Sequence, residues 1–140
     1  MNITATALSL NVPDVAASAD FAMQHLGFTE AMSADGFVSL THDSAGVNIV
    51  FLRVGLGTFK PERIAGPAGQ GLLIAFVVDD IDAEFARISA AGAEVVTPPE
   101  TEPWGERYCQ FADDNGLVWQ LVQWVTPPPQ EQQTQDADAP

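Results

Sequence analysis

Apolar and polar residues alternate first in TATALSLNV, residues 4–12, a two-residue period that predicts a half-buried strand. The period then changes. In PDVAASADFAMQHLGF, Pro13 and Asp14 are helix-start residues, and Val15, Ala19, Ala22 and Leu26 recur at helical spacing. Gly27 is placed to cap that helix at its C-terminus. Three short strands are predicted next: TEAMSA, GFVSLTH and GVNIVFLRV, separated by Asp35-Gly36 and by DSAG.

The order then repeats. LLIAFVV predicts a strand, and DDIDAEFARISAAG a helix with Asp80 as N-cap. Its buried face is expected at Ile81, Phe85, Ile88 and Ala91, with Gly92 closing it. AEVVTPP, ERYCQFA and LVWQLVQW supply three more strands, with DDNG between the last two. Asp14 and Asp80 lie 66 residues apart, and Gly27 and Gly92 lie 65 apart, so the period is consistent. The expected class is α+β, with one 1–125 domain of two βαβββ modules at about 3–54 and 71–125. Residues 55–70 (GLGTFKPERIAGPAGQ) are a Gly/Pro linker without periodicity, and 126–140 are expected to form a disordered acidic tail.

Composition narrows the function classes. Apolar residues make up 46% of the 140-residue chain, enough for a packed core. The longest apolar run, residues 72–78, has strand length, so no membrane association is expected. MNITATALSL lacks a basic region ahead of its apolar letters and does not read as a signal peptide. A single cysteine, Cys109, fits a reducing cytoplasm. Five Lys and Arg against 19 Asp and Glu give a net charge of −14, which repels nucleic acid and draws cations.

Two units, each with a helix on one sheet face, leave the other faces free to curl around a shared cup. With VPDVAASADFAMQHLGF early and PWGERYCQFADDNG late, the doubled unit resembles the vicinal oxygen chelate superfamily over roughly residues 5–124. That group includes glyoxalases, extradiol dioxygenases and bleomycin-resistance proteins. Its enzymes hold a divalent ion with four His, Gln or Glu side chains. The resemblance places those positions at Ala7, near Val50 or Phe51 (with Asn48 the nearest polar residue), at Leu73 and at Gln120. Ala, Leu, Val and Phe offer no donor, and one neutral amide cannot offset dehydration of the ion. His25, near the expected exposed end of the first helix, and His42, in a turn, read as surface residues. No metal and no cofactor are therefore expected.

Gln120 then reads as a polar group in a mostly apolar cup, open either to a ligand or to backbone pairing. Cys109 has Arg107 two residues away, which could favour a thiolate, but an isolated strand cysteine is usually a buried hydrophobe. By resemblance to the bleomycin-resistance branch, Phe37 and Trp104 line a drug cleft, with Met32 and Tyr108 nearby. Trp104 supports this independently, since it stands between Pro103 and Gly105 in a loop. Trp119 and Leu121 have opposite phase to Gln120 and are expected under a helix. The expected function is metal-free sequestration of a flat, cationic antibiotic by a cytoplasmic homodimer. The alternatives are a lyase, isomerase or dioxygenase of the same fold, and a protein-interaction module.

Overall fold

The computed structural model describes residues 1–125; the expectation for 126–140 lies outside the described residues. The chain folds as two units. The first holds Met1–Leu72 together with Asp113–Leu117, and so takes in the segment between the two repeats. The second holds Leu73–Ala112 and, among the described residues, 118–125.

In the first unit, β1 (Ala7–Val12) leads into α1 (Val15–Leu26), followed by β2 (Thr29–Ala34), β3 (Phe37–Thr41) and β4 (Asn48–Arg53). The sheet order is β1-β4-β3-β2, with β1 and β4 parallel and the other pairs antiparallel. Register separates the two faces. Leu10 pairs with Phe51, and Val38 with the same Phe51; Ile49 lies opposite both Leu8 and Leu40. These residues form the core face with α1, and Leu40, Ile49 and Phe51 are fully buried. Ala7, Ser9, Asn11, Asn48, Val50 and Phe37 take the opposite face.

Helix α1 starts where Asp14 accepts a hydrogen bond from the Ala17 N–H at 3.3 Å and ends at Gly27, φ 79°. Its buried face includes Ala19 and Ala22 of the helically spaced set and adds residues that the spacing did not give. Ser18, Ala19, Phe21, Ala22 and His25 are buried, while Val15 and Leu26 are only half-buried. Two polar residues on that face make contacts that hold them there. Ser18 donates to Asp113 at 2.7 Å, and His25 meets Phe21 edge-on with ring centroids 4.8 Å apart. His25 is thus a core residue and not the surface residue expected. Asn115 bonds the N–H and C=O of Asp14 at 3.0 and 2.6 Å, so the DDNG turn fastens the start of this helix.

The second unit repeats the plan with β5 (Leu73–Val77), α2 (Ile81–Ala90), β6 (Glu94–Thr101), β7 (Glu106–Ala112) and β8 (Val118–Trp124). Its order, β5-β8-β7-β6, matches the first sheet strand for strand. Ile81 and Ile88 of α2 are buried, and Phe85 stacks on Phe111 at 5.5 Å. Ala91 falls one residue past the helix and is exposed, so it is not part of the buried face. Trp119 and Leu121 are buried as expected, at roughly 1.5–3 kcal/mol for a fully buried large apolar side chain. Asp80 caps α2 through the Ala83 N–H, and Gln123 accepts from the Ile81 N–H at 3.0 Å. Pro98 and Pro99 fall in β6, where the pairing with β7 shifts; β6 is an edge strand, the place where a missing N–H costs least.

Candidate functional site: a cleft on the second sheet

On the face of the second sheet away from Trp119 and Leu121, strand alternation sets out Leu73, Ala75 and Val77 on β5, and Gln120 and Val122 on β8. Glu106, Tyr108 and Gln110 follow on β7. A cleft of about 380 Å³ opens there. Leu73, Gln110 and Gln120 form its floor, and Glu102, Trp104, Glu106 and Tyr108 line the rest. Its volume falls within the range of small-molecule sites.

Both rings are held by carboxylates. A tight turn between β6 and β7 places Trp104: the Gly105 N–H bonds the Glu102 C=O at 2.9 Å, and Gly105 takes φ 93°, a conformation that favours glycine. The Trp104 indole N–H donates to Glu106 at 3.1 Å. The Tyr108 hydroxyl donates to Glu102 at 2.8 Å, with Glu100 at 3.3 Å. The hydrogen bond to Glu102 is the largest cause raising the Tyr108 hydroxyl pKa to about 12, so it stays protonated at neutral pH. Each ionised carboxylate has lone pairs beyond those the rings use. Two aromatic faces beside acidic groups suit a planar cation.

Gln120 is 9% exposed and has a definite orientation. The Thr97 hydroxyl donates to the Gln110 side-chain oxygen at 2.7 Å, and the Gln110 amide nitrogen donates to the Gln120 oxygen at 2.8 Å. Thr97, Gln110 and Gln120 are cross-strand partners on β6, β7 and β8, so the sheet register builds this relay. With its oxygen engaged, Gln120 has its N–H donors left for a ligand. Its partner is thus a side chain and not the backbone. Sequence reasoning missed Gln110 and Thr97. The available signal was that Gln110 is two residues from Tyr108 on a strand and shares its face.

The other expected contacts belong to the first unit. Met32 lies opposite Ser39, and Phe37 is two residues from Ser39 on β3, so Met32 and Phe37 are diagonal neighbours on one face. Met32 is exposed and Phe37 half-buried. Trp104, Tyr108 and Gln120 meet in one cleft, and Met32 with Phe37 form a pair on the first sheet.

The donor set does not suit a divalent ion. Ala7 and Leu73 present hydrocarbon alone, Val50 takes the open face, and Phe51 is core. The Gln120 oxygen is already bonded to Gln110. Among the described residues, no group of three or more His, Cys, Asp or Glu could hold a metal. His42 is engaged at both ring nitrogens: Nδ1 accepts from the Ser44 and Ala45 N–H groups, and Nε2 donates to the Leu26 C=O at 2.9 Å. It ties its turn to the end of α1. Cys109 is fully buried, and desolvation leads in pushing its thiol up to about 11, against any favouring by Arg107. Arg107 instead forks onto Asp82 at 2.8 and 3.1 Å.

Comparison with known proteins decides the family. The sequence profile of the Glyoxalase/Bleomycin resistance protein/Dioxygenase superfamily matches residues 4–121. The chain belongs to this superfamily. A glyoxalase/bleomycin resistance protein/dioxygenase from Nocardioides is 26% identical, with a TM-score of 0.69 over 91% of this chain and 87% of that one. TnmS3, an antibiotic binding protein from Streptomyces sp. CB03234, is 27% identical, with a TM-score of 0.67 over 88% of this chain and 98% of its own. An uncharacterized protein of Mycobacterium bovis is 46% identical over 57 residues, 41% of this chain. That match spans only 38% of the mycobacterial protein. The α+β frame with two four-stranded sheets and two helices is the one that superfamily neighbours share.

Proposed function

We propose that the chain binds and sequesters a flat, cationic, antibiotic-type small molecule, without a metal ion, as a cytoplasmic homodimer of the bleomycin-resistance type. The observation that carries this reading is the second-sheet cleft, where Trp104 and Tyr108 stand beside Glu102 and Glu106 over the Gln110–Gln120 amide pair. A planar ring stacks on Trp104, its positive end lies toward the carboxylates, and an acceptor atom takes a Gln120 N–H. Met32 and Phe37 are assigned to the ligand as apolar contacts on the first sheet. The similarity to an antibiotic binding protein at 27% identity supports the same class of ligand. Ala7 and Leu73, which withhold donors at two family metal positions, support binding without metal.

The homodimer rests on apolar surface. Leu73 and Val77 are 51% and 68% exposed on β5, an edge strand of the second sheet. Val122 adds nothing to this patch. It lies between Val77 and Tyr108 in the sheet and is 5% exposed. Light scattering at micromolar concentration should report about twice the 14.9 kDa chain mass, and a single-chain mass would overturn this part.

A thermal-shift screen of antibiotics and divalent metals tests the whole reading, because any ligand of the native state raises its midpoint. Planar cationic antibiotics should raise it and metals should not. A shift with zinc, nickel, iron or manganese, with about one ion per chain by elemental analysis, would favour an enzyme of the superfamily instead.

A further inference from the structure

A second cleft, of about 450 Å³, lies in the first unit, and nothing in the proposed function uses it. Its floor is Ser9 and Asn11 on the open face of β1, and its wall is Phe59, Arg63 and Ile64 with the chain through Ala68. The wall belongs to residues 55–70, the segment that reads as a featureless linker. It is anchored to β1: the Ala68 N–H donates to the Asn11 C=O at 2.8 Å, and the Val54 N–H to the Val12 C=O at 3.0 Å. A short 3-10 turn at Glu62–Ile64 carries Arg63.

Charge makes this cleft unlike the rest of the molecule. The chain has five Lys and Arg against 19 Asp and Glu. Arg53, Arg87 and Arg107 each form an ion pair, with Asp35, Glu84 and Asp82. Among the described residues, Arg63 forms none, and neither does Lys60, the other cation of this segment. An arginine that takes no partner from so many carboxylates is available to an anion. The second observation is Asn11. It is 6% exposed and lines the cleft, and among the described residues its side-chain amide is not a buried unpartnered group but one whose polar atoms still reach the solvent of the cleft. A side chain held rigidly by its burial, with its amide open to the cleft, can bond a ligand in place of water at little cost in ordering.

We propose that this cleft binds a small aromatic carboxylate. The Arg63 guanidinium takes the carboxylate through paired N–H donors, and the Asn11 amide with the Ser9 hydroxyl adds hydrogen bonds. Phe59 and Ile64 cover the ring. The −14 charge disfavours anions generally, so binding depends on this local cation and weakens with salt. Aromatic acids are selected over aliphatic ones by Phe59, and the chemistry is opposite in sign to that of the second-sheet cleft.

Benzoate is the probe. The full chain is titrated with it by calorimetry and by amide NMR, in wild type, Arg63→Gln, Trp104→Ala and the control Arg87→Gln. The expected result is saturable millimolar binding with shifts centred on Asn11 and Ala68. Arg63→Gln should weaken it at least about tenfold, while Arg87→Gln and Trp104→Ala leave it unchanged. Arg63 is exposed, so its replacement is not expected to disturb folding. Equal affinity in Arg63→Gln, or no saturation up to about 20 mM in wild type, would overturn the proposal. The unchanged response of Trp104→Ala keeps this test separate from that of the second-sheet cleft.

Discussion

The two sheets share a strand order and a helix on one face, yet their open faces carry different chemistry. On the first sheet that face is set out with Ala7, Ser9, Asn11, Asn48 and Val50, and its cleft is closed by a segment bearing Arg63. On the second it carries Tyr108, Gln110 and Gln120, with Glu102, Glu106 and Trp104 at the edge. The core faces, by contrast, are alike in kind: Ile49 and Phe51 in one sheet, Trp119 and Leu121 in the other, all buried. A doubled frame thus keeps the side that must pack and frees the side that meets solvent. Packing constrains volume and phase on one face of a strand, and the alternate residues can change without cost to it.

If the core faces are the shared part, both should fail alike when emptied. Phe51→Ala and Trp119→Ala should each cost about 3–5 kcal/mol in denaturant unfolding, the largest effect expected anywhere in the chain. A loss under about 1 kcal/mol at either site would mean that sheet does not pack as described.

The open faces should respond differently. Trp104→Ala should leave stability nearly unchanged and weaken a cationic ligand about tenfold, on the scale of an aromatic anchor. Phe37→Ala on the first sheet sharpens the comparison. Weaker binding with folding intact would support its assignment to the ligand, and loss of folding would make it a core residue.

The helix starts should differ only slightly. Asp14→Ala and Asp80→Ala each remove a cap worth about 1 kcal/mol. Asn115→Ala should add a comparable loss for α1, since it bonds both backbone groups of Asp14. Gln123→Ala should do the same for α2 through the Ile81 N–H. Thermal melts of the four variants check this.

Alkaline pH should weaken the second unit's side of the molecule most gently of all. Burial raises the Cys109 thiol from 9.0 to about 11, and the bond to Glu102 raises Tyr108 from 10.0 to about 12. Both groups hold their protons more tightly when folded. Their contribution is therefore complete below the unfolded values and is lost as pH rises through 9 to 12. Cys109→Ala and Tyr108→Phe should each flatten that part of the stability profile. Native Cys109 should also resist thiol reagents at pH 8, and rapid labelling there would contradict its burial.

The strands and caps were legible because they are local. Alternation in residues 4–12, the Asp35-Gly36 turn and the caps Asp14 and Asp80 each need only a few neighbouring letters. The buried face of α1 was legible only in part: Ala19 and Ala22 follow the spacing, but Ser18 is there on account of Asp113, 95 residues away, and no periodicity reports such a partner. Gln120 shows the same limit. Its letter suggested a polar group in an apolar site, but which end it presents depends on Gln110 across the sheet. Trp104 was named from the family resemblance with its loop setting in support, and Tyr108 from the resemblance alone; both line the second-sheet cleft. Arg63 escaped notice because residues 55–70 have no pattern to place it; the hydrogen bond from the Ala68 N–H to the Asn11 C=O does that.

The central claim is that the second-sheet cleft binds a planar cation unaided by metal. Its most direct test is calorimetric titration of chelator-treated protein with a cationic antibiotic identified by the thermal-shift screen, in wild type and Trp104→Ala at two salt concentrations. The expected result is full-affinity binding by the metal-stripped wild type, weaker at high salt and about tenfold weaker in Trp104→Ala. Binding that vanishes on chelation and returns with a divalent ion, or equal affinity in a folded Trp104→Ala, would contradict it.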